Sequence, residues 1–136
     1  MSTAFAEIPA LSMYDRIGGE EGVRTLVERF YDLMALDPAY TALRAIHAPD
    51  LFPTRVALTR FLCGWLGGPR DWFDQRQGTC IMSMHRAMQF DAPLAAQWVD
   101  AMRRAMIDTR VDRDLARQML GAFIRMSGAM INREER

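Results

Sequence analysis

Apolar residues in this chain recur every three and four positions, and no segment alternates apolar with polar at period two. A chain patterned in this way buries its apolar side by packing helix on helix. Val23, Leu26, Val27, Phe30 and Met34 form the clearest stripe, with Arg24, Glu28 and Asp32 opposite and Tyr31 on its border. Ser12 can cap a short turn through Met13, Tyr14 and Ile17 that stops at Gly18-Gly19. Asp37-Pro38 opens a short helix carrying Leu43 and Ile46, which breaks near His47. From about Pro53, the residues Val56, Leu58, Phe61, Leu62, Trp65 and Leu66 are apolar on more than one face, so a largely buried helix is expected, ended by Gly67-Gly68-Pro69. A polar loop follows, and then Ile81, Met84, His85 and Met88 share a helical face. Asp91 and Pro93 start a helix that buries Leu94, Trp98, Ala101, Met102 and Ala105. Asp112 opens a last one through Leu115, Met119, Phe123, Met126 and Met130. The expected fold is all-α, without internal repeats.

At 136 residues there is room for one core, so a single domain over residues 12–136 is expected behind a leader of residues 1–11. The 17 cations balance 17 anions, which removes the electrostatic footprint of a nucleic-acid binder. Every cation is arginine. Without lysine there is no Schiff-base chemistry and no phosphate-cradling G-x-x-x-x-G-K-[ST] loop. Cys63 and Cys80 form no C-x-x-C and read as reduced thiols. The start lacks a basic region before an apolar core, and no apolar stretch approaches the roughly 18 residues of a membrane span, so a cytoplasmic protein without membrane partners is expected.

The four serines form no G-x-S-x-G, and the chain has no G-x-G-x-x-G after a strand, no H-E-x-x-H and no calcium loop. Two histidines remain, His47 and His85. His85 shares its face with Ile81, Met84 and Met88 and has two readings. One is a core histidine bonded to a carbonyl. The other is an axial ligand to a flat, apolar metallocofactor, for which haem is suited, held without covalent attachment because C-x-x-C-H is absent. The 11 methionines serve either as compliant core filler or as a cofactor lining.

Several stretches together carry a family resemblance. They are Tyr14-Asp15-Arg16-Ile17-Gly18-Gly19, Arg29-Phe30-Tyr31, Phe61-Leu62 running into Trp65-Leu66-Gly67-Gly68-Pro69-Arg70, then Gln75-Arg76, His85 and Trp98. The joint spacing, over Met13 to Asn132, resembles the truncated, two-over-two haemoglobins, and Trp98 points to their group II. The resemblance implies a globin-like helical sandwich around haem b, with His85 as the proximal iron ligand and Tyr31, His47 and Trp98 as polar residues on the ligand-binding side. It puts Thr54, Leu58 and Phe61 on the helix over that side, with Thr54 at the pocket entry; Met84 and Arg86, which flank His85, are also expected among the cofactor contacts.

The departure from the family pattern lies before His85, where many group II members carry G-H-P-x-L-R-x-R-H and this chain has Gln77-Gly78-Thr79-Cys80-Ile81-Met82-Ser83-Met84. The arginines that hold the haem propionates are missing, leaving Arg86 and Arg76 as substitutes. Apart from the family, Trp98 reads as a core tryptophan, Tyr31 as a packing residue and His47 as an exposed helix-end cation. The expected function is binding of O2, and of NO or CO, with NO dioxygenation or peroxidase chemistry permitted if an external electron donor supplies turnover. The rivals are a cofactor-free helical bundle serving interaction or dimerisation, and a bundle that takes another apolar ligand. Oligomeric state is open.

Overall fold

The computed structural model describes residues 11–68 and 91–131, all helix and connecting turns. Residues 1–10 and 132–136, and the segment 69–90 with Arg76, Cys80, Met84, His85 and Arg86, lie outside the described residues.

Short-range signals place each element. α1 (Met13–Ile17) starts at Ser12, whose hydroxyl accepts the Asp15 N–H, and ends at Gly18, where φ of +104° favours a residue without Cβ. α2 (Gly19–Leu36) follows at once and buries the predicted stripe from Val23 to Met34. A 3-10 turn over Pro38–Tyr40, capped by Asp37, precedes α3 (Thr41–Ala45), so the single helix expected here divides in two. α4 is Phe52–Trp65. α5 (Ala92–Asp108) is capped by Asp91, which accepts the Leu94 N–H at 3.1 Å, and α6 (Arg113–Met130) by Asp112, which accepts the Leu115 N–H at 3.1 Å.

The helices form two pairs, α2 with α4 and α5 with α6, joined where α2 packs on α5. Phe30, Trp98, Leu62, Met102, Leu115 and Phe123 meet in one apolar core between them. α4 differs from the expectation of a helix apolar on several faces. Leu58, Phe61 and Leu62 are buried, but Phe52 and Val56 are 68% and 40% exposed, since among the described helices α4 packs mainly on α2.

Both glycine pairs serve α1. The Tyr14 N–H donates to the Leu66 carbonyl at 2.9 Å, and a Cβ on Gly68 would stand 2.5 Å from the Tyr14 ring. A Cβ on Gly22 would stand 1.9 Å from the Ile17 carbonyl oxygen. α1 is thus seated against the start of α2 and the end of α4. Arg16 adds an ion pair to Asp112 at 3.2 Å, which ties α1 to the start of α6.

Candidate ligand pocket

Tyr31 on α2 and Trp98 on α5 come together through Phe30, whose ring meets the phenol edge-on at 4.9 Å and the indole edge-on at 5.6 Å. Trp98 also meets Phe123 edge-on at 5.3 Å, and Phe123 stacks on Trp65 at the same distance. Tyr31 is 3% exposed and Trp98 4%. Their rings pack as core aromatics do. Their polar tips do not follow the core rule, because neither the hydroxyl nor the indole N–H has a hydrogen-bond partner among the described residues.

Burial pushes the Tyr31 phenol well above the usual tyrosine range, against a smaller downward pull from the Arg55 charge. The phenol therefore keeps its proton at physiological pH and can donate. The same physics acts on Cys63, where burial pushes the thiol up and keeps it in the poorly nucleophilic protonated form.

His47 follows α3 and is half-buried, with its ring edge-on to Tyr31 at 6.1 Å. It is therefore not the exposed helix-end cation that its sequence context alone suggests. Nδ1 lies 2.9 Å from the Leu43 carbonyl. A carbonyl only accepts, so Nδ1 carries the hydrogen, and in the neutral ring Nε2 is an acceptor. Gln97, beside Trp98, meets the same Leu43 from α5. Its side-chain oxygen accepts the Leu43 N–H at 3.0 Å, capping α3 across the helix interface where Tyr40 supplies no side-chain cap.

Thr54, Leu58 and Phe61 lie on α4 at spacings of four and three, hence on one face. Leu58 and Phe61 belong to the core that includes Tyr31 and Trp98, and Thr54 is half-buried. Arg55, next to Thr54, was not singled out from the sequence. Its guanidinium lies over the Tyr31 ring, 5.6 Å from the centroid, and pairs with Glu28 and Asp32 of α2. The acidic pair bracketing Tyr31 in sequence was the available signal, but its cation comes from another helix.

A second polar group ties the turn before α3 to α5. Arg104 pairs with Asp37 at 2.6 Å and donates to the Tyr40 hydroxyl at 3.2 Å, and that hydroxyl donates to Asp100 at 2.7 Å. Arg104 holds the Asp37 carboxyl below its ordinary pKa, and the Tyr40 hydroxyl does the same for Asp100. The 3-10 turn that precedes α3 and His47 is in this way bound to α5.

Two packed helix pairs whose core holds Tyr31 and Trp98, with His47 edge-on to the phenol, fit a globin-type sandwich of the truncated kind. The chain belongs to the bacterial-like globin family, whose model matches residues 12–132. It is 26% identical over 122 residues to a group 2 truncated hemoglobin of Bacillus subtilis, covering 90% of this chain and 89% of that one. Among solved structures, the group II 2-on-2 hemoglobin of Agrobacterium tumefaciens is 29% identical with a TM-score of 0.88, over 94% of this chain and 99% of that one. The cold-adapted truncated hemoglobin of the Antarctic marine bacterium Pseudoalteromonas haloplanktis is 28% identical with a TM-score of 0.86, over 91% and 100%. These relatives bear out the group II truncated haemoglobin resemblance and the two-over-two fold, and they do not favour a cofactor-free bundle.

The globin family implies haem. The residues present fit such a group. Two buried polar tips, the Tyr31 hydroxyl and the Trp98 indole N–H, lack partners among the described residues and sit among apolar side chains, with the half-buried His47 ring edge-on to the phenol. No helix among the described residues is long and apolar enough to cross a membrane.

Proposed function

We propose that the chain holds haem b through His85 and binds a diatomic gas, O2 foremost, in the pocket bordered by Tyr31, His47, Thr54, Leu58, Phe61 and Trp98. The observation that carries this reading is the pair of buried donors, Tyr31 Oη and Trp98 Nε1, that lack a partner among the described residues and whose rings both meet Phe30. Haem iron supplies the bond to the gas and, with an electron donor, redox capacity. The chain's own residues supply the rest. Trp98 Nε1 can only donate, and Tyr31, kept protonated by burial, can donate as well, so both suit a ligand that gains negative charge. His47 Nε2 can accept a proton or, in the charged ring, give one. Leu58 and Phe61 exclude water from the pocket and strengthen each of these interactions.

In this reading Met84 and Arg86 contact the cofactor beside His85, Arg86 or Arg76 takes over a propionate, and Thr54 borders the entry. NO dioxygenation or peroxidase turnover, an external electron donor, carriage or sensing of O2, and cytoplasmic residence belong to the same proposal. So does the division into a leader over 1–11 and one globin domain over 12–136, which the family match over residues 12–132 supports.

A visible spectrum of the purified chain tests the cofactor. A Soret band is expected, lost or shifted in His85→Ala and restored by imidazole in His85→Gly. Full haem occupancy and an unchanged ferrous spectrum in His85→Ala would show that the axial assignment is wrong. Arg86→Ala is expected to lose haem faster to an acceptor apoprotein, and equal rates would remove Arg86 from propionate binding.

A further inference from the structure

Nothing polar within the described chain holds the Tyr31 hydroxyl, so the direction of the phenol is set by what touches its ring. Phe30 and His47 meet the ring edge-on, at 4.9 and 6.1 Å. The third neighbour is a cation. The Arg55 guanidinium carbon lies 5.6 Å from the ring centroid, within cation–π range.

Arg55 is itself anchored at several points. Nη1 donates to the Glu28 carboxylate and, at 3.4 Å, to the Glu28 carbonyl, while Nη2 donates to Asp32 at 3.2 Å. Glu28 and Asp32 are one turn apart on α2 with Tyr31 between them in sequence, so one side chain from α4 spans the turn that carries the phenol. The Arg55 side chain is 21% exposed, which shields the pairing from part of the solvent screening that weakens open surface pairs.

We infer that Arg55 is a positioning residue for Tyr31: anchored on Glu28 and Asp32, it lays its guanidinium on the phenol ring and holds the hydroxyl in one direction toward the ligand. This rests on the reading of Tyr31 as a ligand-side donor and deepens it. The geometry explains why arginine stands here. A planar fork engages two carboxylates and packs on a ring at once, whereas an ammonium is a point charge that does neither well. It also gives α4 a second task, since the helix that carries Thr54 and Leu58 over the pocket reaches across to hold a donor on the facing helix.

The test uses the full chain with 13C-labelled tyrosine, the Tyr31 signal being assigned by its loss in Tyr31→Phe. In Arg55→Met, ring-carbon relaxation is expected to show a more mobile Tyr31 ring, and O2 release is expected to speed about two- to five-fold. Placed on Tyr31→Phe, Arg55→Met is expected to add nothing to the release rate, because the hydroxyl it directs is gone. An equal acceleration in that background, or a Tyr31 ring as rigid as before, would overturn the inference. Should Arg55→Met fail to fold by circular dichroism, the pair Glu28→Gln with Asp32→Asn frees the guanidinium without removing it and is read in the same way. Lack of a Soret band would sink the haem reading and leave the relaxation measurement to decide Arg55. A Soret band with a still-rigid ring in Arg55→Met sinks the positioning role alone.

Discussion

Trp98 has the packing of a core residue and an N–H without a partner among the described residues, and substitution can separate the two. Trp98→Phe keeps most of the ring between Phe30 and Phe123 and removes the donor. Losing a hydrogen bond to a charged acceptor costs about 1.5–3 kcal/mol, so O2 release is expected to accelerate roughly tenfold or more. CO, which gains less negative charge, is expected to respond less. Stopped-flow dissociation of the two gases checks this, and equal acceleration of both would reduce Trp98 to packing. Tyr31 carries a pH signature of its own. Burial raises its pKa, so the folded chain keeps the phenolic proton to higher pH than the unfolded chain does. Its contribution to stability is complete below the ordinary tyrosine pKa of about 10 and falls as pH rises beyond it. Urea midpoints of the native chain are therefore expected to drop between pH 9 and pH 11, and those of Tyr31→Phe to drop less.

Helix ends in this chain are written in local chemistry, and they proved legible. Ser12, Asp37, Asp91 and Asp112 each cap the element they precede, because a cap needs only a side-chain oxygen and a backbone N–H two or three residues on. Seating one element on another was less legible. The glycine pairs read as helix stops, and the close approach of α1 to Gly22 and Gly68 came only with the fold. Gly22→Ala puts a methyl against a backbone carbonyl that has no rotamer to yield, and such overpacking costs about 1–3 kcal/mol. The thermal midpoint is expected to fall by several degrees, with the Tyr14–Leu66 backbone hydrogen bond losing protection in amide exchange. An unchanged midpoint would mean that α1 docks loosely.

For the molecule as a whole, the proposed cofactor would couple occupancy to stability. A ligand bound by the native state alone stabilises it by RT ln(1 + [L]/Kd), about 4 kcal/mol at a thousandfold excess over Kd. Haem extraction is expected to lower the unfolding midpoint and to make it depend on added haem, as read by a melt followed in the far ultraviolet. A midpoint indifferent to haem would speak against the cofactor. The all-α class and most of the described helix ends were in the sequence, since period, caps and breaks are properties of neighbours three or four residues apart. The two-over-two pairing came from the family resemblance and was borne out by the fold. Only the tertiary structure decided that Arg55 meets Tyr31, that Gln97 caps α3, and that Phe30 joins Tyr31 to Trp98. Each of these contacts depends on how separate helices cross, and a crossing is set by side-chain fit over whole faces, which no local pattern encodes.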